Sequence, residues 1–129
     1  MKFNLRTPLA FDFGALKELV TRLPDNAEIV MGEATAAFKA DKRNPLVRSF
    51  LRAIREAGGD PSFKVKTGTS DMNLLGAAWK VPILAYGPGD STLDHTPRKH
   101  LMIEEYEKAV AVLRQALEAL SIASAEEKL

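Results

Sequence analysis

No cysteine occurs among the 129 residues, which excludes disulfides and any thiolate-held metal. Charge of one sign is also missing: Lys and Arg number 18 against 17 Asp and Glu, a formal net charge of +1. No strong field is therefore present to recruit nucleic acid or an anionic membrane. No apolar run reaches the eighteen or so residues a membrane span requires. The opening MKFNLRTP carries no apolar h-region, so no secretory leader is expected and the cytoplasm is the default location. Several catalytic signatures are absent too. There is no P-loop, no GxGxxG, no H-E-x-x-H and no S-x-x-K to accompany the Lys66-Thr67-Gly68 triplet. Histidine occurs twice, as His95 and His100.

What is present is the composition of a folded protein, 46% hydrophobic and 27% charged. Phe3 and Leu5 alternate with Lys2, Asn4 and Arg6, the period of a half-buried strand ending before Pro8. Asp12 caps a predicted helix from about Phe13, with Leu16, Leu19, Val20 and Leu23 on one face and Pro24-Asp25-Asn26 as its stop. Short strands are expected over Glu28–Met31 and Ala36–Ala40. Asn44-Pro45 opens a second helix, whose stripe is Leu46, Val47, Phe50, Leu51 and Ile54 and whose stop is Gly58-Gly59. Ser62–Lys66 reads as a strand, and Ser70 or Asp71 caps a short helix carrying Leu74, Leu75, Ala78 and Trp79. Val81–Tyr86 reads as a buried strand with Pro82 near its start. A final helix is expected to bury Ile103, Tyr106, Val110, Leu113, Leu117 and Leu120, with the tail SIASAEEKL frayed.

Two polar loops follow strand candidates, where α/β sheets place ligand sites. The first, Lys66-Thr67-Gly68-Thr69-Ser70-Asp71-Met72-Asn73, gathers backbone N–H groups, hydroxyls and a helix N-terminus. It suits an anion such as a substrate carboxylate, and equally an ordinary polar turn with a cap. The second holds His95 between Asp94 and Pro97, with Asp90 nearby. One imidazole cannot hold a catalytic zinc, which needs about three protein ligands, although Asp90 and Asp94 could orient it from behind. Glu104 and Glu105 have a helix-dipole explanation and need no acid–base role.

The order of segments is more informative than any one of them. FNLRTP, DKRNPLVRSFLRAIREAGGDP, KTGTSDMN and GPGDSTLDHTP ahead of an amphipathic helix together resemble the C-terminal part of the zinc aminoacylase and carboxypeptidase family. The branch resembled most is the one that releases lysine or ornithine from an amino-group carrier protein in lysine and arginine biosynthesis. The resemblance covers residues 2–120 and implies a fold class of α/β, an α+β lid half followed by the α/β end of a catalytic domain. Residues 1–58 then correspond to the second half of a lid or dimerisation domain and residues 59–129 to the end of a zinc-dependent catalytic domain.

By the same resemblance, His95 ligates one of two zincs, with cobalt as an alternative metal. Arg6 reaches the substrate carboxylate, and Lys66, Gly68, Thr69, Ser70 and Asn73 contact substrate, with Asp71 and Asn73 shaping the turn. The family's other ligands and its general base come from an H-x-D segment, a bridging aspartate and a Glu-Glu pair, all upstream of the segments matched here. No H-x-D occurs in this chain, and HTPRK stands where many relatives have a histidine followed by Asn-Glu. The resemblance thus implies an isolated chain without turnover and an N-terminal portion of the enzyme as its partner. It also implies an acylated amino acid or amino-group carrier protein as substrate, and assembly as a homo-oligomer. A non-catalytic dimerisation or amino-acid-binding module from the same family is the alternative.

Overall fold

The structure is a computed structural model that describes residues 2–23 and 28–126. Its regular elements are α1 (Phe13–Thr21), α2 (Pro45–Glu56), α3 (Asp71–Trp79), the short 3-10 helix η1 (Ser91–Leu93) and α4 (Ile103–Glu126). They belong to two compact units. One comprises residues up to Lys39 together with Val65–Val81, and the other comprises Ala40–Lys64 together with the chain from Pro82 onward.

The second unit is organised around α2 and α4. Asn44 fixes the start of α2 from both ends of its amide: Oδ1 accepts the Val47 N–H at 3.0 Å and Nδ2 donates to the Asp41 carbonyl at 2.7 Å. Pro45 follows as the first helical residue, where its missing N–H costs nothing. The far end closes as a Schellman motif. The Gly59 N–H bonds the Ile54 carbonyl at 2.8 Å and the Gly58 N–H bonds the Arg55 carbonyl at 2.9 Å, with Gly58 at φ +76°. Between these stops Val47, Phe50 and Ala53 are buried. Phe50 and Ala53 meet Val112 and Ala116 of α4, with Leu46, Ile54 and Leu84 packed around them.

The face of α4 that meets α2 is not the one the periodicity predicts. Ala109, Val112 and Ala116 are buried, whereas Tyr106, Val110, Leu113 and Leu117 are 54%, 48%, 43% and 53% exposed. The reason is close approach. Ser49 Oγ of α2 donates to the Ala116 carbonyl at 2.6 Å, and a short side chain reaches a facing helix backbone only where the residues between are small. Ala53, Ala109 and Ala116 provide that clearance. The tail expected to fray continues as helix through Glu126.

In the first unit, Asp12 caps α1 as expected, its Oδ1 accepting the Ala15 N–H at 3.0 Å. The helix buries no residue fully, and its expected stop at Pro24-Asp25-Asn26 lies outside the described residues. α3 starts at Ser70, the N-cap, and ends on Lys80 in the left-handed region at φ 54°. Its contact is made by Gly76 and not by the larger Leu74 or Trp79, which are exposed. The Phe38 ring lies directly on Gly76, where an added Cβ would come within 2.3 Å of Phe38 Cζ.

The expected α/β layering does not form among the described residues: none of the segments 3–5, 28–31, 36–40, 62–66 and 81–86 lies in a strand. Phe3, Leu5, Val30, Phe63 and Val65 within them are 75%, 61%, 84%, 60% and 93% exposed. The physical reason is that a strand exists only as a member of a ladder, its N–H and C=O groups satisfied by a neighbour. Alternation and β-branched residues supply the capacity to pair and cannot supply the partner.

Candidate functional site

The residues singled out by sequence fall into both units. Arg6, Lys66, Gly68, Thr69, Ser70 and Asn73 belong to the first, and His95 belongs to the second. Arg6, Lys66, Gly68, Thr69, Ser70 and His95 are all exposed.

The loop before α3 is held by Asn73. Its Oδ1 accepts the Ser70 N–H at 3.0 Å, its own N–H bonds the Ser70 carbonyl at 2.9 Å, and its Nδ2 donates to the Ala36 carbonyl at 2.9 Å. Asn73 therefore ties the start of the helix to the 36–38 segment that also carries Phe38. This structural work narrows what the loop can bind. The Ser70 N–H is already engaged, and Asp71 places a carboxylate in the first turn, where it competes with an external anion for the helix dipole. The backbone N–H groups of Gly68 and Thr69 and the Thr69 hydroxyl lie in the same exposed loop. A β-carbon on Gly68 would meet nothing within 4 Å, so the backbone there is open to close approach.

The loop before α4 is built on η1. Asp90 Oδ1 accepts the Thr92 N–H at 2.8 Å, and the bonds from Thr92, aided by Lys64, hold the Asp90 carboxyl below the ordinary carboxylate range. Thr96 Oγ1 donates to the Leu93 carbonyl at 2.8 Å, and Asp94 Oδ1 lies 3.3 Å from Lys99 Nζ. Between these anchors His95 takes φ 63°, a left-handed backbone that costs a residue with a Cβ about 1–2 kcal/mol. Strained positions of this kind collect at functional sites. Sequence reasoning missed both the η1 turn and the backbone of His95; Asp90-Ser91-Thr92, a capping residue before two hydroxyls, was the available signal.

Asp90 and Asp94, the two carboxylates that could stand behind the imidazole, are thus engaged with Thr92 and Lys99. Among the described residues no group of three or more His, Asp or Glu converges to hold a metal ion. By themselves the donors of the described residues do not make up a zinc site, which needs about three protein ligands. A shallow, open groove along α2 and α4 is lined by Arg52, Glu56, Gln115 and Glu118 among others. No helix among the described residues is long and apolar enough to cross a membrane.

Residues 10–119 match the profile of peptidase family M20/M25/M40. The chain belongs to this family. Among M20 relatives, the LysW-lysine hydrolase of Deinococcus radiodurans is 54% identical over 94 residues, 73% of this chain and 26% of that protein. A Thermococcus kodakarensis protein provisionally named LysW-lysine/LysW-ornithine hydrolase is 42% identical over 120 residues, 93% of this chain and 31% of its own length. The LysW-lysine/LysW-ornithine hydrolase of Saccharolobus solfataricus is 35% identical over 106 residues, 81% of this chain and 30% of its own length. The chain therefore spans about a third or less of the curated relatives it matches.

Proposed function

We propose that this chain is the C-terminal portion of an M20 amide hydrolase that releases lysine or ornithine from the LysW amino-group carrier protein. The observation that carries the reading is the 54% identity to a LysW-lysine hydrolase, over a segment that makes up 26% of that enzyme. In the net reaction water adds across one amide bond, giving a carboxyl on the carrier and the free amine of the amino acid.

The parts this chain contributes are for binding and positioning. Arg6 is assigned to the carboxylate of the released amino acid, a guanidinium being suited to bidentate pairing. Lys66, Gly68, Thr69 and Ser70 are assigned to the wall of the substrate pocket, with Asn73 shaping the turn through its bonds to Ser70 and Ala36. His95 is assigned as a single metal-facing imidazole of a two-zinc centre whose other ligands lie elsewhere in the intact enzyme. In that enzyme, residues 1–58 complete a lid or dimerisation domain and residues 59–129 complete the catalytic domain. The isolated chain then has no turnover.

The test is complementation. The chain is co-expressed with the remaining portion of the Deinococcus radiodurans hydrolase, and release of free lysine from LysW-lysine is measured. Hydrolysis that needs both polypeptides, and that His95→Ala abolishes, is expected. Hydrolysis by the 129-residue chain alone, or activity indifferent to His95→Ala, would sink the proposal.

A further inference from the structure

The 36–38 segment meets α3 at two points. The Ala36 carbonyl accepts from Asn73 Nδ2 at 2.9 Å. Three residues further along the helix, Phe38 brings Cε1, Cζ and Cε2 to within 2.8 Å of where a β-carbon on Gly76 would lie. Gly76 is the buried residue of α3, whereas Leu74 and Trp79 are 61% and 63% exposed. Positions three apart share one face of a helix, so both contacts bear on the same side of α3.

Two contacts fix more than one can. A single hydrogen bond leaves a helix free to pivot about it. A second contact about 4.5 Å further along the axis, at 1.5 Å rise per residue, removes the pivot and sets the rotation. The ring tip reaches the helix backbone only because residue 76 has no Cβ, so a side chain there must displace either the ring or the helix. Rotation of α3 is passed to the loop before it, since the N–H and the carbonyl of Ser70, the N-cap, both bond Asn73.

We propose that Phe38 is a positioning residue. Acting through Gly76, and together with the Ala36–Asn73 bond, its ring sets where the Lys66–Ser70 loop stands for the amino-acid end of the substrate. This rests on the functional reading above and adds to it a residue outside the pocket wall. In the test, the chain is reconstituted with the remaining portion of the Deinococcus radiodurans hydrolase, and KM and kcat for lysine release from LysW-lysine are measured. The forms compared are wild type, Phe38→Ala, Gly76→Ala and the double variant. Each single substitution is expected to raise KM about fivefold or more with kcat held within about twofold, the signature of lost substrate binding. A displacement on the order of 1 Å is enough for such an effect.

The double variant separates position from stability. Alanine at 76 restores helix propensity once the ring is gone, so the denaturation midpoint is expected to recover while KM stays raised. In the isolated chain, amide exchange at Ser70 and Asn73 is expected to be about tenfold faster in Phe38→Ala than in wild type. An unchanged KM in either single variant overturns the assignment. So does a KM that recovers together with the midpoint, or an unchanged exchange rate. Faster exchange in Phe38→Ala, with no lysine released by the reconstituted wild type, supports the hold of Phe38 on the loop and overturns the proposed reaction.

Discussion

Ser49 Oγ donates a 2.6 Å hydrogen bond to the main-chain carbonyl of Ala116, joining the middle of α2 to the middle of α4. Ala116 is fully buried, so the bond sits in the seam that holds the second unit together. It selects one axial alignment of the two helices, because sliding either by a turn would strand the hydroxyl against a carbon surface. Ser49→Ala is expected to lower unfolding free energy by about 0.5–1.5 kcal/mol, read by chemical denaturation. Ala116→Leu, which forces the helices apart, is expected to cost about 1–3 kcal/mol. If Ser49→Ala costs more in an Ala116→Leu background than in the wild type, the bond does not depend on close approach.

Asn44 makes a second separable contribution. Asn44→Ala removes the cap to Val47 and the donor to the Asp41 carbonyl, and a loss of about 1–2 kcal/mol is expected. Asn44→Asp keeps the acceptor and loses the donor, so its loss falls between the two. Thermal denaturation of the three forms orders them; an aspartate variant no more stable than the alanine one would show that the retained cap contributes nothing measurable beside the lost donor.

Gly76 and Phe38 should behave as a coupled pair. Alanine at 76 gains about 1 kcal/mol of helix propensity over glycine, yet its Cβ would sit 2.3 Å from the Phe38 ring. The overlap is expected to win, and Gly76→Ala is expected to destabilise. In a Phe38→Ala background the same substitution should turn neutral or stabilising. A double-mutant cycle with no interaction energy would refute the contact.

Burial against its surroundings, including the Phe50 ring at 5.2 Å between centroids, raises the Tyr86 hydroxyl above its ordinary value of 10. The unfolded chain ionises this tyrosine first, so its contribution to stability is complete below about pH 10 and is lost as pH rises through the folded value. Tyr86 is followed by ultraviolet titration in a Tyr106→Phe variant, where its phenolate should appear above pH 10. Asp90 has the opposite sign. Its carboxyl is held low by Thr92, so that contribution is present above about pH 4 and fades as pH falls through the lowered value. Carboxyl carbon NMR should place Asp90 below an unperturbed aspartate.

The sequence made the helices legible where a local contact decides them. Asp12, Asn44-Pro45, Ser70 and Gly58-Gly59 mark termini because caps are satisfied by residues three or four positions away. α4 was visible from its periodicity as far as Leu120, but neither its continuation to Glu126 nor its buried edge was. A stripe of large residues says where a helix could pack, whereas Ala109 and Ala116 lie inside because α2 comes close from another part of the chain. The strand candidates do not pair among the described residues for a related reason, their partners being non-local. At the candidate site, the KTGTSDMN and GPGDSTLDHTP motifs led to the right family, yet the engagement of Asn73 with Ala36 and of Asp94 with Lys99 depends on folded geometry.

The left-handed turn at His95 divides the tolerance of that position between two kinds of selection. Glycine would relax the backbone and delete the imidazole; asparagine would accept the turn and offer an amide instead of a ring nitrogen; alanine would keep the cost and return nothing. A library at this codon sorted for folding should therefore place glycine and asparagine ahead of histidine and alanine, whereas the metal-facing role proposed for His95 predicts that one sorted for lysine release by the reconstituted enzyme favours histidine.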